Sequence, residues 1–114
     1  MSTPSGFART PEPPYYAVIF TSRRTAGDHG YGATAVRMEE LGATYDGFLG
    51  IESVRGADGV GITVSYWRDL AAIHAWKNDP AHQQAQRGGR TTWYEGYEIR
   101  IARVERAYGF HRDS

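Results

Sequence analysis

Apolar and polar residues alternate with a period of two through residues 15–22. Tyr15, Ala17, Ile19 and Thr21 make one face of a strand, and Tyr16, Val18, Phe20 and Ser22 make the other. Both faces are apolar for most of their length, so this strand has to be covered on both sides. The period then lengthens. Tyr31, Thr34, Ala35, Met38, Leu41 and Tyr45 recur at helical spacing, with Arg37, Glu39 and Glu40 opposite them. Gly42, or the turn at Asp46-Gly47, ends that helix. Residues 48–55 and 61–67 read as two more strands. Gly56-Ala57-Asp58-Gly59 between them is a hairpin signature, because Asp-Gly tolerates the positive backbone angles of such turns.

From Arg68 the period is again helical, through Leu70, Ile73, His74, Trp76 and Lys77, until Asn78-Asp79-Pro80 interrupts it. Asp79 caps a new helix and Pro80 suits its first turn, where an amide needs no intrahelical partner. That helix carries Ala81, His82, Ala85 and Gln86 and frays at Gly88-Gly89. A last strand is expected over residues 97–108. Residues 1–14, rich in Ser, Thr and Pro, read as a flexible arm with Phe7 as its anchor; 15–108 as one domain; and 109–114 as a tail. The order β-α-β-β-α-β is that of an α+β ferredoxin-like fold, a four-stranded antiparallel sheet with its helices on one face. Some of Phe20, Val18, Trp67, Val104 and Ala102 are expected on the other face, too apolar to leave wet in a lone domain. A second copy packed sheet against sheet is the simplest cover.

Composition removes several functions. With 114 residues there is room for one domain with a modest core. A formal net charge of zero argues against nucleic acid as a partner. The absence of cysteine excludes disulfides, thiolate nucleophiles and zinc–thiolate sites, and Lys77 is the only lysine for Schiff-base chemistry. No apolar run approaches membrane-spanning length and no signal-peptide core opens the chain, so the expected location is cytoplasmic and no membrane partner is expected. No histidine pair has metal-ligand spacing beside a carboxylate, and Ser65 lacks a nucleophile-elbow context. Arg100, Arg103 and Arg106 on the last strand are expected to pair with Glu98, Glu105 or a partner chain.

All three tryptophans and two of the four histidines fall between residues 65 and 97. A strand, a helix, a kink and a second helix there hold aromatics with a few polar groups. Both a small-molecule pocket and an ordinary aromatic core read this way. Trp67 and Trp76 are core or pocket wall. His82 is a helix-start residue or a pocket base with a suitable ordinary pKa. Tyr94 and Tyr97 either donate to a bound quinone oxygen or satisfy any buried acceptor.

Tyr66-Trp67, Trp76, Asp79-Pro80-Ala81-His82, Arg90, and Trp93-Tyr94 before a strand ending Val104-Glu105-Arg106 resemble the antibiotic biosynthesis monooxygenase domain. The resemblance covers residues 15–108 and implies a homodimeric α+β barrel. Haem-degrading proteins of this fold use a Trp on the second helix, an axial His ten residues later and an Asn in the first strand. Trp76 matches the first, but Gln86 stands at the ligand position and residues 15–22 hold no Asn. Cofactor-free members oxidise electron-rich phenols with Trp, Tyr, Asn and Arg side chains. The resemblance therefore implies a monooxygenase without cofactor or metal, acting on a small phenol or quinol. In that reading His82 or Tyr94 takes the proton and Arg90 steadies the charge, while Trp67, Trp76, Phe20 and Tyr97 wall the substrate. The alternative is a non-catalytic dimer of the same fold that binds a hydrophobic ligand or serves a stress response.

Overall fold

The computed structural model describes residues 6–112 of the chain, so residues 1–5 of the expected arm and 113–114 of the tail lie outside the described residues. The elements are β1 (Tyr15–Arg24), α1 (Tyr31–Gly42), β2 (Phe48–Arg55), β3 (Val60–Trp67), α2 (Leu70–Lys77), α3 (Pro80–Gly88), a single π-helical turn (Gly89–Trp93) and β4 (Tyr94–Val104). The strands form one antiparallel sheet in the order β2-β3-β1-β4, and the helices cover one face of it. This is the ferredoxin-like α+β arrangement.

Aspartates start the helices. Asp28 Oδ1 and Oδ2 accept the Gly32 and Gly30 amides ahead of α1, whose cap residue Gly30 sits at φ 85°, a backbone angle that favours glycine. Asp69 Oδ1 accepts the Ala72 amide in α2, and Asp79 Oδ1 accepts the Ala81 and His82 amides in α3. The hairpin turn closes through Gly59 N to Gly56 O at 3.0 Å, with Gly59 at φ 89°.

Pairing register decides which residues share a face. Tyr16, Val18 and Phe20 lie opposite Trp67, Ser65 and Thr63 on β3, and opposite Arg103, Ile101 and Ile99 on β4. Val18, Phe20 and Trp67 face the helices, not the open side where they were expected. Both faces of β1 are apolar, so alternation alone cannot say which one the helices cover. The open face carries Tyr15, Ala17, Ile19, Val64, Tyr66, Ala102 and Val104. Two bulges disturb the alternation, at Leu49 in β2 and at Glu95 in β4. The second puts Tyr94 and Tyr97, three residues apart, on the same face.

β4 begins three residues earlier and ends four residues earlier than alternation predicts. Its span is set by its partner: Tyr94 pairs with Arg24 and Val104 with Tyr15, the first residue of β1. Phe7 of the arm is 56% exposed and meets the His111 ring edge-on, centroids 5.8 Å apart, and hydrogen bonds hold the rest of the arm. Ala8 N donates to Glu52 Oε2 at 3.0 Å, Thr10 Oγ1 and Tyr15 Oη lie 2.8 Å apart, and Tyr66 Oη donates to Glu52 Oε1 at 2.7 Å. Arg100, Arg103 and Arg106 make no ion pair with Glu98 or Glu105 among the described residues. The buried apolar residues are few: Trp67, Ala72 and Ile73 form one cluster, packed by Tyr16, Val18, Tyr45, Phe48 and Trp76, and Tyr15 and Ala17 are buried on the other face of the sheet.

Candidate active site

Between the sheet and the helices lies a cavity of about 550 Å³. The apolar stripe of α1 forms one wall with Tyr31, Thr34, Ala35 and Met38, and the helix-facing residues of all four strands form the floor. Ile99 and Ile101 line it while remaining 44% and 51% exposed, so it opens beside the edge strand β4.

Trp76 and His82 close the end under the helix break. The two rings stack, with centroids 4.0 Å apart and planes 10° from parallel. His82 Nδ1 lies 3.0 Å from the Trp76 carbonyl oxygen. A carbonyl only accepts, so Nδ1 carries the hydrogen of the neutral ring and Nε2 keeps its lone pair. Burial pushes the His82 pKa below its ordinary 6.5, outweighing the opposing pull of the Trp76 carbonyl and Asp79. At pH 7 the ring is a neutral base. Tyr45 buttresses Trp76 edge-on at 5.2 Å and donates its hydroxyl to Asp79 Oδ2. That bond and the α3 amides hold the Asp79 carboxyl below its ordinary range.

The other predicted residues divide. Phe20, Tyr94 and Tyr97 meet in one cluster, Phe20 lying 5.3 Å from each tyrosine ring, and all three line the cavity. Burial and the neighbouring Tyr31 hydroxyl raise the Tyr94 pKa above the usual phenol range. Tyr94 stays protonated at neutral pH and donates to the Tyr31 oxygen. Trp67 is 1% exposed, a floor beneath the cavity, and its indole N–H is spent on Ser65 Oγ at 2.9 Å. Arg90 does not line the cavity. The π turn leaves it exposed, touching the site only through a 3.3 Å bond to Tyr97 Oη. Gln86 lines the cavity, as does Lys77 at its rim.

Sequence reasoning missed Tyr31 and Arg55. Tyr31 was legible as part of the apolar stripe of α1, but not as a hydroxyl facing Tyr94 at 3.3 Å. Arg55 reads as a strand end, and only the register brings it to Ser22 and Tyr31. Among the described residues no group of three or more His, Cys, Asp or Glu could hold a metal ion, and no helix is long and apolar enough to cross a membrane.

The chain is 53% identical over 107 residues to the uncharacterised protein YqjZ of Bacillus subtilis (strain 168), covering 94% of each chain. It is 31% identical over 94 residues to the jasmonate monooxygenase ABM of Pyricularia oryzae, covering 78% of this chain but 43% of that protein. Among solved structures, SnoaB, a cofactor-independent oxygenase from Streptomyces nogalater, superposes with a TM-score of 0.72 at 12% identity, over 83% of this chain and 97% of that one. At that identity the match speaks for the fold alone. The sequence profile for the antibiotic biosynthesis monooxygenases matches residues 15–88, from β1 to the end of α3, which takes in Trp76, His82 and the break between them. The chain belongs to the antibiotic biosynthesis monooxygenase family.

Proposed function

We propose that the protein is a cofactor-independent monooxygenase of small electron-rich aromatics of the phenol or quinol type. The observation that carries this reading is His82, a half-buried neutral imidazole stacked on Trp76 with an unspent Nε2 lone pair at the wall of a largely apolar cavity. In this scheme Nε2 takes the phenolic proton. The aryl oxide passes one electron to dioxygen, and the aryl radical and superoxide join through a new C–O bond. The adduct takes the proton from His82 to become a hydroperoxide. Loss of the ring C–H proton and cleavage of O–O then release water, so a phenol with a free para position plus O₂ gives quinone plus H₂O. Phe20, Tyr97 and Trp76 sandwich the rings. Arg90 acts only through Tyr97.

The test is oxygen uptake with 1-naphthol and anthrone, each against its own spontaneous oxidation. Uptake matched by quinone, and cut about 10²-fold or more in His82→Gln, is the expected result. A second reading, a non-catalytic ligand-binding dimer, draws on the outward placement of Arg90, the cation that was to steady developing charge. Tight binding of these aromatics with no uptake above background would establish that reading in place of the first. In both, the protein is a homodimer joined through the helix-free face of its sheet.

A further inference from the structure

At one part of the cavity wall the Tyr31 and Tyr94 hydroxyl oxygens lie 3.3 Å apart. Arg55 Nη2 donates to the Tyr31 oxygen at 3.4 Å and to Ser22 Oγ at 2.8 Å. Each phenol carries one hydrogen, and a guanidinium accepts none. Only one of the two hydroxyl hydrogens can occupy the bond between the tyrosines. The other has no protein acceptor among the described residues. With Tyr94 donating to Tyr31, the surplus donor is the Tyr31 O–H.

The surroundings are cationic. The Arg24 guanidinium sits 3.7 Å from the Tyr31 ring centroid and that of Arg55 5.9 Å. Neither forms an ion pair with a carboxylate among the described residues. Their N–H groups go to neutral oxygens instead, among them Trp93 O and Gly27 O for Arg24, and Gly59 O for Arg55. A hydroxyl that receives two hydrogen bonds, one from a cation, is a strengthened donor. Burial helps to keep Tyr94 protonated and donating. The neighbouring walls are aromatic and aliphatic, through Phe20, Met38 and Ile99.

We infer that Tyr31, with Tyr94 and Arg55 donating to it, forms an oxygen-binding subsite that takes a carbonyl or aryl oxide oxygen of a flat aromatic ligand. This rests on the reading of the cavity as an aromatic site, and it adds where an oxygen of the ligand other than the one that faces His82 goes. Two uncompensated guanidiniums favour an oxygen that carries or gains negative charge. Tyr31 is thus a binding and charge-stabilising residue, in the part assigned to Arg90 from the sequence.

The test compares 1,4-naphthoquinone, whose oxygens only accept, with naphthalene, which has the same rings and no oxygen. Both are titrated by quenching of tryptophan fluorescence, and the chain has no cysteine for a quinone to alkylate. The quinone should bind wild type at least about tenfold more tightly than naphthalene. In Tyr31→Phe/Tyr94→Phe, which keeps both rings, the two affinities should converge through loss of quinone binding alone. Tyr31→Phe by itself should move in the same direction, and it serves if the double variant does not fold. Equal wild-type affinities, or equal weakening of both compounds in the variant, overturn the subsite while leaving an aromatic cavity. Binding of neither compound overturns the cavity reading and the subsite together.

Discussion

The His82 imidazole lies flat on the Trp76 indole and hydrogen-bonds through Nδ1 to that residue's carbonyl. Two residues six apart, on opposite sides of the Asp79-Pro80 break, therefore act as one unit. A continuous helix would set positions six apart on different faces and leave the carbonyl to its own ladder. The break turns α3 so that the ring meets the last turn of α2.

That contact has a pH signature. The His82 pKa is lowered from 6.5 in the fold by burial. The unfolded chain takes up a proton near 6.5 and the folded chain only at lower pH. The stability contributed by the neutral ring is therefore present above 6.5 and lost as pH falls from there through the folded-state pKa. Asp79, whose carboxyl is held below 3.8, stays ionised in that window. Urea midpoints should fall more steeply below pH 6.5 for wild type than for His82→Gln. Oxygen uptake should lose rate in the same acid range and be flat above it. Parallel stability curves for the two proteins would remove the buried neutral ring from the account.

The helix-free face leads to a prediction about assembly. Val54 and Ile62 there are 73% and 43% exposed, beside Ile19, Val64 and Ala102, while the end of the face at Tyr15 and Ala17 is already buried and the arm is held there through Thr10 and Ala8. An obligate interface of this kind buries about 2,000 Å² or more. Sedimentation equilibrium at micromolar concentration should give a dimer, and Ile62→Glu, which sets a charge in that face, should give a monomer. A monomeric wild type would leave the face without its cover.

Much of this fold was legible because its elements have clean periods. β2 has the predicted bounds, Phe48–Arg55, and Asp79 and Pro80 take the cap and first-turn positions expected of them. The face assignment was not legible, since Val18 and Ile19 are equally apolar and only pairing separates them. The bulge at Glu95 was hidden for a related reason. Gly96 marks a weak point in the strand but does not say which tyrosine flips, and that flip creates the Tyr94–Tyr97–Phe20 cluster. Arg90 was assigned to the site by residue type. Its outward placement comes from Gly89, buried so closely against Tyr94 that a Cβ there would lie 2.9 Å from the ring.

Haemin should not bind stoichiometrically with a histidine-ligated spectrum. Gln86 lines the cavity and stands, by its spacing from Trp76, at the chain position where the resemblance to haem-degrading proteins expects a histidine, and an amide is a poor iron ligand. His82, one turn earlier, is stacked on Trp76 and tied to its carbonyl, so ligation by it has to break into that pair. A sharp Soret shift on titration, abolished by His82→Ala, would show that the ligand has moved by one turn.

Trp76 should matter more to ligand and turnover than to the fold. It is half-buried, stacked on His82, and packed against Tyr45 at 5.2 Å and Trp67 at 6.4 Å. Its ring also lies against Gly42, where a Cβ would come within 3.4 Å of it. Truncation to Ala removes all of these contacts and should cost about 3–5 kcal/mol, a large share of the stability of a domain this size. That variant cannot separate packing from function. Trp76→Phe keeps a ring in the same place and removes the indole N–H, which has no hydrogen-bond partner among the described residues. In the core that loss is nearly neutral, because no bond is broken; in a working site it removes an unspent donor and narrows the surface on which His82 rests. The variant should unfold at nearly the wild-type urea midpoint and lose turnover or affinity at least about tenfold, equivalent to about 1.4 kcal/mol. Unchanged activity with a sharply lowered midpoint would make Trp76 a packing residue, and the assignment of this end of the cavity to chemistry would fall with it.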